Sequence, residues 1–365
     1  MDTVEQRLRE SQPSYLPVEK PGVLDKTSGS FEKLKGDFLG KDILSLSQFD
    51  QFSLIKLFKL AENMRDIARY ARPSSILAGN IVTLLFYEPS SRTMGSFDAA
   101  VKQLGGQTIV VTDPKNYSSV AKGETFADTI KTFEVYSDAV VLRHPKIGAA
   151  LKAAEAAKYV PIINAGDGAG EHPTQALLDL MTIWSTHHRL TGLKGLIAGD
   201  IKNGRTVHSL LQGLALYPDN KVFLLSSDKY QLGEEEIAKH RERGLDIQTI
   251  RDMEEIPPDC DFWYWTRIQR ERGSQLSKFA YRHFWKHFLK DKDLYKVTQN
   301  VLNRYGGVNT ILMHPLPRVG EIAEDVDADK RAVYLRSQIR NGMYIRMALL
   351  GLTLGKYPGS FDLNY

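Results

Sequence analysis

The run Ser-Ser-Arg-Thr at residues 90–93 has the side chains best suited to chemistry in this sequence. It follows an apolar run that predicts a buried strand over 81–87, and a helix is predicted over 96–104. The first N–H groups of a helix have no intrahelical partners and its dipole is positive there, so this junction can bind an anion. Three hydroxyl groups and the guanidinium of Arg92 would add donors that fit a phosphate. The run therefore predicts a phosphate site, with a Ser-capped helix and a solvated arginine as the alternative.

Cations follow several other predicted strands. Arg143 comes after the third apolar run, and Arg205, Arg267 and Arg318 stand in segments that follow strands of the second half. In open parallel sheets, ligands bind beyond the carboxyl ends of the strands. These side chains are therefore expected to converge on one cleft. Several cations in one cleft predict an anionic ligand with more than one charged group.

His172 stands directly before Pro173, and proline is favoured at the first position of a helix. The histidine is therefore expected at the cap of a helix over 174–187, where the positive helix end opposes protonation of the imidazole. A neutral ring could donate one N–H to a carbonyl oxygen and polarise it. The alternative is a core histidine bonded to backbone, and that interpretation is favoured for His144 and His314, which also precede prolines.

The elements that must position these residues alternate between strands and helices, a rhythm typical of parallel sheets with helices on both faces. The helical pattern over 174–187 separates two series of apolar runs. We therefore predict an α/β fold of two doubly wound parallel-sheet domains joined by a connecting helix. Further helices are predicted over 49–72 and 338–354. The predicted strands are 81–87, 108–112, 139–142 and 160–164 in the first series, and 193–198, 221–225, 261–265 and 310–313 in the second.

The bulk composition fits a chain of two globular domains. It has 365 residues, of which 42% are hydrophobic and 25% charged, and a net charge of +4, so no overall field points to nucleic acid or membrane. The single cysteine, Cys260, excludes an internal disulfide and suggests a reducing compartment. With no signal-peptide pattern near the N-terminus, this predicts a cytoplasmic location. Residues 1–36 predict an extension with little structure of its own.

Aromatic and basic residues alternate over 281–290, which superficially suits stacking on nucleic-acid bases. Phe284, Trp285 and Phe288 would fall on one helical face, so a packed amphipathic helix is the favoured interpretation. We therefore expect neither nucleic acid nor a membrane as a partner.

Seven motifs together resemble the catalytic chain of the aspartate carbamoyltransferase family, over a span from about Gly40 to Tyr357. Ornithine carbamoyltransferases, the sister family, usually have His-Pro-Cys-Gln and His-Cys-Leu-Pro segments, and the Thr174 and Pro315-Leu316 found here favour aspartate. The motifs are Phe86-Tyr-Glu-Pro-Ser-Ser-Arg-Thr93, Ser118-Ser-Val-Ala-Lys-Gly-Glu124, Arg143-His-Pro145, His172-Pro-Thr-Gln-Ala-Leu-Leu-Asp179, Gly204-Arg-Thr-Val-His208, Arg267-Ile-Gln269 and His314-Pro-Leu-Pro-Arg318.

The resemblance implies transfer of the carbamoyl group from carbamoyl phosphate to the amino group of L-aspartate, an early step of de novo pyrimidine (UMP) biosynthesis. It implies a carbamoyl phosphate-binding domain at 37–175, with a C-terminal helix of about 338–357 packed back on it, and an aspartate-binding domain at 188–333. It implies no metal and no other cofactor, and the sequence has no metal-ligand cluster. A binding protein without catalysis and a carbamoyltransferase for another amine are the alternatives.

The resemblance also implies the site residues, with Arg92, Thr93, Arg143, His172 and Lys122 as the catalytic ones. Ser118 and Lys122 would reach into the site of a neighbouring subunit of a homotrimer, and Glu88 and Arg272 would form ion pairs between the domains. A regulatory chain stays an open question. Carbamoyl phosphate would be bound by Ser90, Ser91, Arg92, Thr93, Arg143, His172, Gln175, Ser118 and Lys122, and aspartate by Arg205, Arg267, Gln269, Pro315 and Leu316.

Overall fold

The chain forms two parallel β-sheets, and a computed structural model describes residues 31–70, 74–117, 119–168, 170–267, 295–359 and 361. Ser118, Gln269 and Arg272, which the sequence analysis assigns to the site, lie outside these described residues, as does the aromatic and basic run at 281–290. The two sheets and their helices confirm the predicted α/β class with two parallel-sheet domains.

The first sheet consists of β1 (Ile81–Phe86), β2 (Gln107–Thr112), β3 (Ala139–His144) and β4 (Ile162–Asp167). The order is β2-β1-β3-β4, and every pair is parallel. Both β3 and β4 are buried along their whole length, which matches their near-continuous apolar sequences. The edge strand β2 exposes part of its side chains. Because all four strands run the same way, their carboxyl ends meet at one edge of the sheet.

The second sheet consists of β5 (Lys194–Ala198), β6 (Lys221–Leu225), β7 (Asp246–Ile250), β8 (Phe262–Trp265) and β9 (Ile311–Met313). The order is β7-β6-β5-β8-β9, again parallel throughout. The sequence analysis missed β7. This strand lies at the edge and buries only two of its five side chains, so it lacks the apolar run that marks the other strands.

Helices connect most of the strands, as parallel pairing requires. The predicted helix over 96–104 begins earlier, at Ser91, so the Ser-Ser-Arg-Thr run forms its cap and first turn. The α-helices of the described residues are α1 (Gln51–Tyr70), α2 (Ser91–Gln103), α3 (Pro114–Tyr117), α4 (Phe126–Tyr136), α5 (Ala149–Ala156), α6 (Pro173–His187), α7 (Arg205–Leu214), α8 (Glu234–Glu242), α9 (Gln299–Tyr305) and α10 (Ser337–Thr353).

Two buried helices connect the sheets. The predicted connecting helix is α6, which leaves the first sheet after β4 and packs against α7 of the second domain. The C-terminal helix α10 packs against α1, α2 and α6. Both helices are buried along most of their length. No helix within the described part of the chain is long and apolar enough to cross a lipid bilayer.

Candidate active site

The Ser-Ser-Arg-Thr run lies where β1 ends and α2 begins. Ser90 is the N-cap residue, and its side chain makes no capping hydrogen bond. Thr93 is buried in the first turn, whereas Arg92 is exposed to the cleft in front of the helix. A cap hydroxyl that does not bond its own helix, together with first-turn N–H groups, leaves donors available for an anion. The geometry therefore fits the predicted phosphate site.

Arg143, near the end of β3, is buried and held on two sides. Its Nη1 donates to the Ala165 carbonyl at 3.1 Å, and its Nη2 lies 2.8 Å from Glu88 Oε2. Gly166 has a φ of +119°, and a Cβ there would lie 2.8 Å from Arg143 Nη1. A glycine at this position is therefore required both by the backbone and by the space that the guanidinium occupies.

His172 is the N-cap residue of α6, as the sequence predicted, and it is buried. Burial lowers the pKa of His172 well below its ordinary value, and the positive charges of Arg205, Arg143 and Arg346 lower that pKa further. The sequence predicted a neutral ring from the positive helix end, but burial is the largest cause of the lowered pKa. Gln175, in the first turn of α6, donates from Nε2 to Asp179 Oδ1 at 3.0 Å.

The second domain contributes arginines to the same cleft. Arg205 is the first residue of α7, and its Nη1 donates to the backbone carbonyl of Gly168, which follows the last strand of the first sheet. This hydrogen bond crosses from one domain to the other. Arg267, which follows β8, also lines the cleft. The guanidinium of Arg318 bonds Asp327 and Tyr334 instead, so this arginine does not join the converging cations.

Pro315 and Leu316 follow β9 and are held by His314. Nδ1 of His314 accepts from the Leu316 N–H at 2.8 Å, and its Nε2 lies 2.7 Å from Glu321 Oε1. Burial lowers the pKa of His314, so the ring is neutral and its Nε2–H donates to the carboxylate. Leu316 has a φ of +56°, an unusual conformation for a branched side chain. The histidine that the sequence analysis interpreted as structural thus positions the turn at 315–316.

These residues line one cavity of about 610 Å³ between the two domains. Lys122 is not among the lining residues. It is exposed at the end of the 3₁₀ helix Ser119–Lys122. No group of three or more His, Cys, Asp or Glu that could hold a metal occurs within the described part of the chain. The predicted site residues that line the cavity are Glu88, Ser90, Ser91, Arg92, Thr93, Arg143, His172, Gln175, Arg205, Arg267, Pro315 and Leu316.

The sequence analysis missed two buried charged groups beside the cavity. Arg346 of α10 lines it and is 4% exposed. Asp179 of α6 accepts from Tyr264 Oη at 2.8 Å and from Gln338 Nε2 at 2.7 Å, and burial raises the pKa of its carboxyl to about 7. This carboxyl joins the connecting helix to β8 and to α10. A charged residue inside a nearly apolar helix was the available signal for both.

The fold and the cleft define a protein of two parallel-sheet domains whose cavity brings together arginines, the neutral His172 and the N-terminus of α2, a set of groups suited to an anionic ligand. Two family models match almost the whole of it: "Aspartate/ornithine carbamoyltransferase, carbamoyl-P binding domain" over residues 41–185, and "Aspartate/ornithine carbamoyltransferase, Asp/Orn binding domain" over residues 191–353. The chain therefore belongs to the aspartate/ornithine carbamoyltransferase family.

Curated relatives and solved structures narrow the similarity to aspartate carbamoyltransferases. The chloroplastic aspartate carbamoyltransferase of Arabidopsis thaliana is 45% identical over 314 residues, which are 86% of this chain and 77% of the relative. The catalytic subunit of the M. jannaschii enzyme superposes with a TM-score of 0.77 at 39% identity, covering 85% of this chain and 96% of that one. The Trypanosoma cruzi enzyme in complex with carbamoyl phosphate gives a TM-score of 0.78 at 38% identity, covering 88% and 98%.

One prediction from the sequence is wrong by this comparison, namely the cytoplasmic location. The Arabidopsis thaliana relative and two from Pisum sativum, at 44–45% identity, are all named chloroplastic. A single cysteine and the lack of a secretory pattern do not distinguish the cytosol from an organelle that is also reducing, so composition could not decide this point.

Proposed function

We propose that this enzyme transfers the carbamoyl group of carbamoyl phosphate to the amino group of L-aspartate, forming N-carbamoyl-L-aspartate and phosphate, an early step of de novo pyrimidine biosynthesis. The observation that carries the proposal is the composition of one cleft. The phosphate turn at 90–93 and His172 form one wall, and Arg205 and Arg267 form the other. A relative from Trypanosoma cruzi was solved with carbamoyl phosphate and aspartate together, which supports the assignment.

The phosphate end of carbamoyl phosphate would bind at the start of α2. Ser90, Ser91 and Thr93 can donate hydroxyl hydrogen bonds, and Arg92 can donate a pair of parallel N–H groups to two phosphate oxygens. Negative charge grows on the phosphate as the C–O bond breaks. Donors that are already in place stabilise that charge without reorganising during the reaction.

The carbonyl oxygen of the carbamoyl group would accept from Arg92, Arg143 and His172, with Gln175 beside the carbamoyl NH2. The ring of His172 is neutral because burial and three neighbouring arginines lower its pKa. A ring with so low a pKa can donate a hydrogen bond but is a poor base, so the proton of the attacking amine must leave by another route. The departing phosphate would lie beside that amine in the same cleft and would accept the proton.

The second domain would supply the groups that bind aspartate. Arg205 and Arg267 offer guanidinium groups for its two carboxylates, and Gln269 would add an amide donor. The backbone carbonyls of Pro315 and Leu316, held by His314, would accept from the attacking amine and from the carbamoyl NH2. Holding both reactants in one cleft turns the attack into an intramolecular step.

The same reasoning extends to the domains and the assembly. Residues 37–175, with the C-terminal helix of about 338–357, would bind carbamoyl phosphate, and residues 188–333 would bind aspartate. Glu88 now contacts Arg143, and closure of the domains on their substrates would let it pair with Arg272 of the other domain. Lys122 and Ser118 would complete the site of a neighbouring subunit in a homotrimer. The exposure of Lys122 outside its own cavity supports this role.

Ornithine is the competing acceptor, because the family model covers both substrates. Glu88 is the one acidic side chain among the described residues that line the cavity, and it is already paired with Arg143. Among the described residues, the cavity therefore offers cations for a second carboxylate but no unpaired carboxylate for the second amine of ornithine. We expect L-aspartate to be carbamoylated and L-ornithine to react at least 100-fold more slowly, measured as phosphate released from carbamoyl phosphate. A faster reaction with ornithine would disprove the assignment.

A further inference from the structure

A buried arginine from the C-terminal helix lies beneath the cleft. Arg346 is 4% exposed, and its guanidinium lies over the ring of Phe97 at 5.0 Å from the centroid. Gly342 stands one turn earlier on α10, and a Cβ there would lie 2.7 Å from Arg346 Nη1. The helix thus leaves a gap for the guanidinium, and the aromatic ring supports its face. Burial of a cation in this way costs free energy, which its hydrogen bonds and other contacts must offset.

The hydrogen bonds of Arg346 reach the two helices that carry the substrate-binding turns. Nη1 donates to Ser96 Oγ at 2.9 Å, and Ser96 lies one turn after Arg92 on α2. Nη2 lies 3.4 Å from Thr174 Oγ1, two residues after His172 at the start of α6. One side chain therefore connects the turn at the phosphate with the turn at the carbonyl.

The second of these hydrogen bonds continues to His172, since Thr174 Oγ1 lies 3.4 Å from His172 Nδ1. A guanidinium has only donors, so the Thr174 oxygen must accept from Arg346. Its own O–H is then directed away from the arginine and can donate to Nδ1. A ring that accepts at Nδ1 carries its single proton on Nε2.

We propose that Arg346 is a positioning residue for carbamoyl transfer. Through Thr174 it holds His172 in the tautomer that presents Nε2–H to the carbamoyl oxygen, and through Ser96 it holds the phosphate turn at a fixed distance from that ring. The role given to the Ser96 contact, and the effect of the tautomer on the reaction, rest on the function proposed above. The tautomer itself is a property of the free protein.

The test uses four variants of the full-length protein. Arg346→Met removes the guanidinium with little loss of volume, and Arg340→Met, on the exposed face of the same helix, is its control. Thr174→Val removes the hydroxyl at nearly constant shape, and Thr174→Ser keeps it. The ring nitrogens of His172 are assigned by 15N NMR, which distinguishes the two neutral tautomers, and kcat and KM are measured for both substrates.

We expect the wild type, Arg340→Met and Thr174→Ser to hold His172 as the Nε2–H tautomer. Arg346→Met and Thr174→Val should show a mixture of tautomers, and their kcat should fall by at least about tenfold, the size of effect expected when one oriented donor is lost. Their KM for aspartate should change by less than twofold. A structural role alone would lower thermal stability and leave the tautomer unchanged.

Two results would overturn the proposal: a wild-type ring with its proton on Nδ1, or folded Arg346→Met and Thr174→Val proteins that keep the Nε2–H tautomer. If Arg346→Met does not fold, the two Thr174 variants decide the question alone. If the wild type does not carbamoylate aspartate, the proposed function is wrong. The NMR comparison still tests whether Arg346, through Thr174, sets the tautomer of His172.

Discussion

At the scale of single residues, the cleft places several arginines beside His172, whose ring remains neutral. Arg143, Arg205 and Arg346 each make protonation of His172 less favourable, and burial does so more strongly. Arg143 and Arg205, which would bind the anionic substrates, therefore also keep the imidazole in the form that donates without acting as an acid. Binding and polarisation depend on one arrangement of charges.

The protonation state of His172 can be measured directly. Because its pKa is lowered, the ring should remain neutral as the pH falls through the ordinary value of about 6.5, down to mildly acid pH. Its 13C and 15N shifts should then stay constant from neutral to mildly acid pH in NMR titrations of the free protein. A midpoint at or above 6.5 would contradict the electrostatics described here.

Replacement of Arg92 should lower turnover without affecting the folding of the protein. Arg92 is exposed to the cleft, so Arg92→Ala should fold normally while removing a donor to the phosphate and the carbonyl oxygen. We expect kcat to fall by about 100-fold or more, as for other lost transition-state donors. The measurement is steady-state phosphate release, with Arg69→Ala, an exposed arginine at the end of α1, as the control. A folded Arg92→Ala protein with turnover close to that of the wild type would rule out this role.

At the scale of elements, the loops after the strands are held by close backbone contacts. Gly199 follows β5 with a φ of +108°, and a Cβ there would lie 2.1 Å from the carbonyl oxygen of Thr266, the residue after β8. This contact brings together the loop that leads to Arg205 and the loop that carries Arg267. Only glycine allows the two strand ends to approach this closely.

Substitution at Gly199 should therefore destabilise the second domain. Gly199→Ala combines a left-handed conformation with a backbone clash, and we expect a loss of at least about 3 kcal/mol in the free energy of unfolding. Gly244→Ala is the matched control, because its φ of +91° also lies beyond the left-handed α region but no atom lies within 4 Å of the added carbon. That control should cost about 1 kcal/mol. Equal losses in urea unfolding would show that the close contact is unimportant.

At the scale of the whole molecule, the proposed homotrimer is supported by a lysine that does not line the cavity of its own chain. Lys122 is exposed and the cavity of the same chain is lined without it. A cation supplied by a neighbour would add positive charge at the rim of a cleft that already contains Arg92 and Arg143. In a homotrimer each contact is heterologous and the ring closes after three copies.

Hybrid trimers test whether sites are shared. Lys122→Ala and Arg92→Ala proteins should each be inactive, whereas dissociation, mixing and reassembly should restore part of the activity. In mixed trimers some interfaces combine an intact Arg92 turn with an intact Lys122 loop. The readout is phosphate release from hybrids whose composition is verified by mass spectrometry. Hybrids as inactive as their parents, or an active monomer of the native protein, would disprove the shared site.

Much of the fold could be predicted because local sequence patterns indicate where individual strands and helices lie. Continuous apolar runs indicated eight of the nine described strands, and Pro173 marked the start of α6. Predicted and observed ends of these elements differ by a few residues. The edge strand β7 was not predicted because it buries only two of its five side chains. The start of α2 was predicted five residues too late because the segment from Ser91 to Gly95 contains no apolar periodicity.

The sequence by itself therefore determined the two-sheet architecture and the positions at which strands deliver their chemical groups, because both depend on short-range patterns of polarity. Only the tertiary structure decided which groups meet. Arg346, 174 residues beyond His172 in the chain, comes beneath it because α10 returns to pack against α2 and α6. Asp179, Tyr264 and Gln338 meet for the same reason. Contacts between residues so distant along the chain result from the packing of whole helices and sheets, and no local pattern of side chains encodes them.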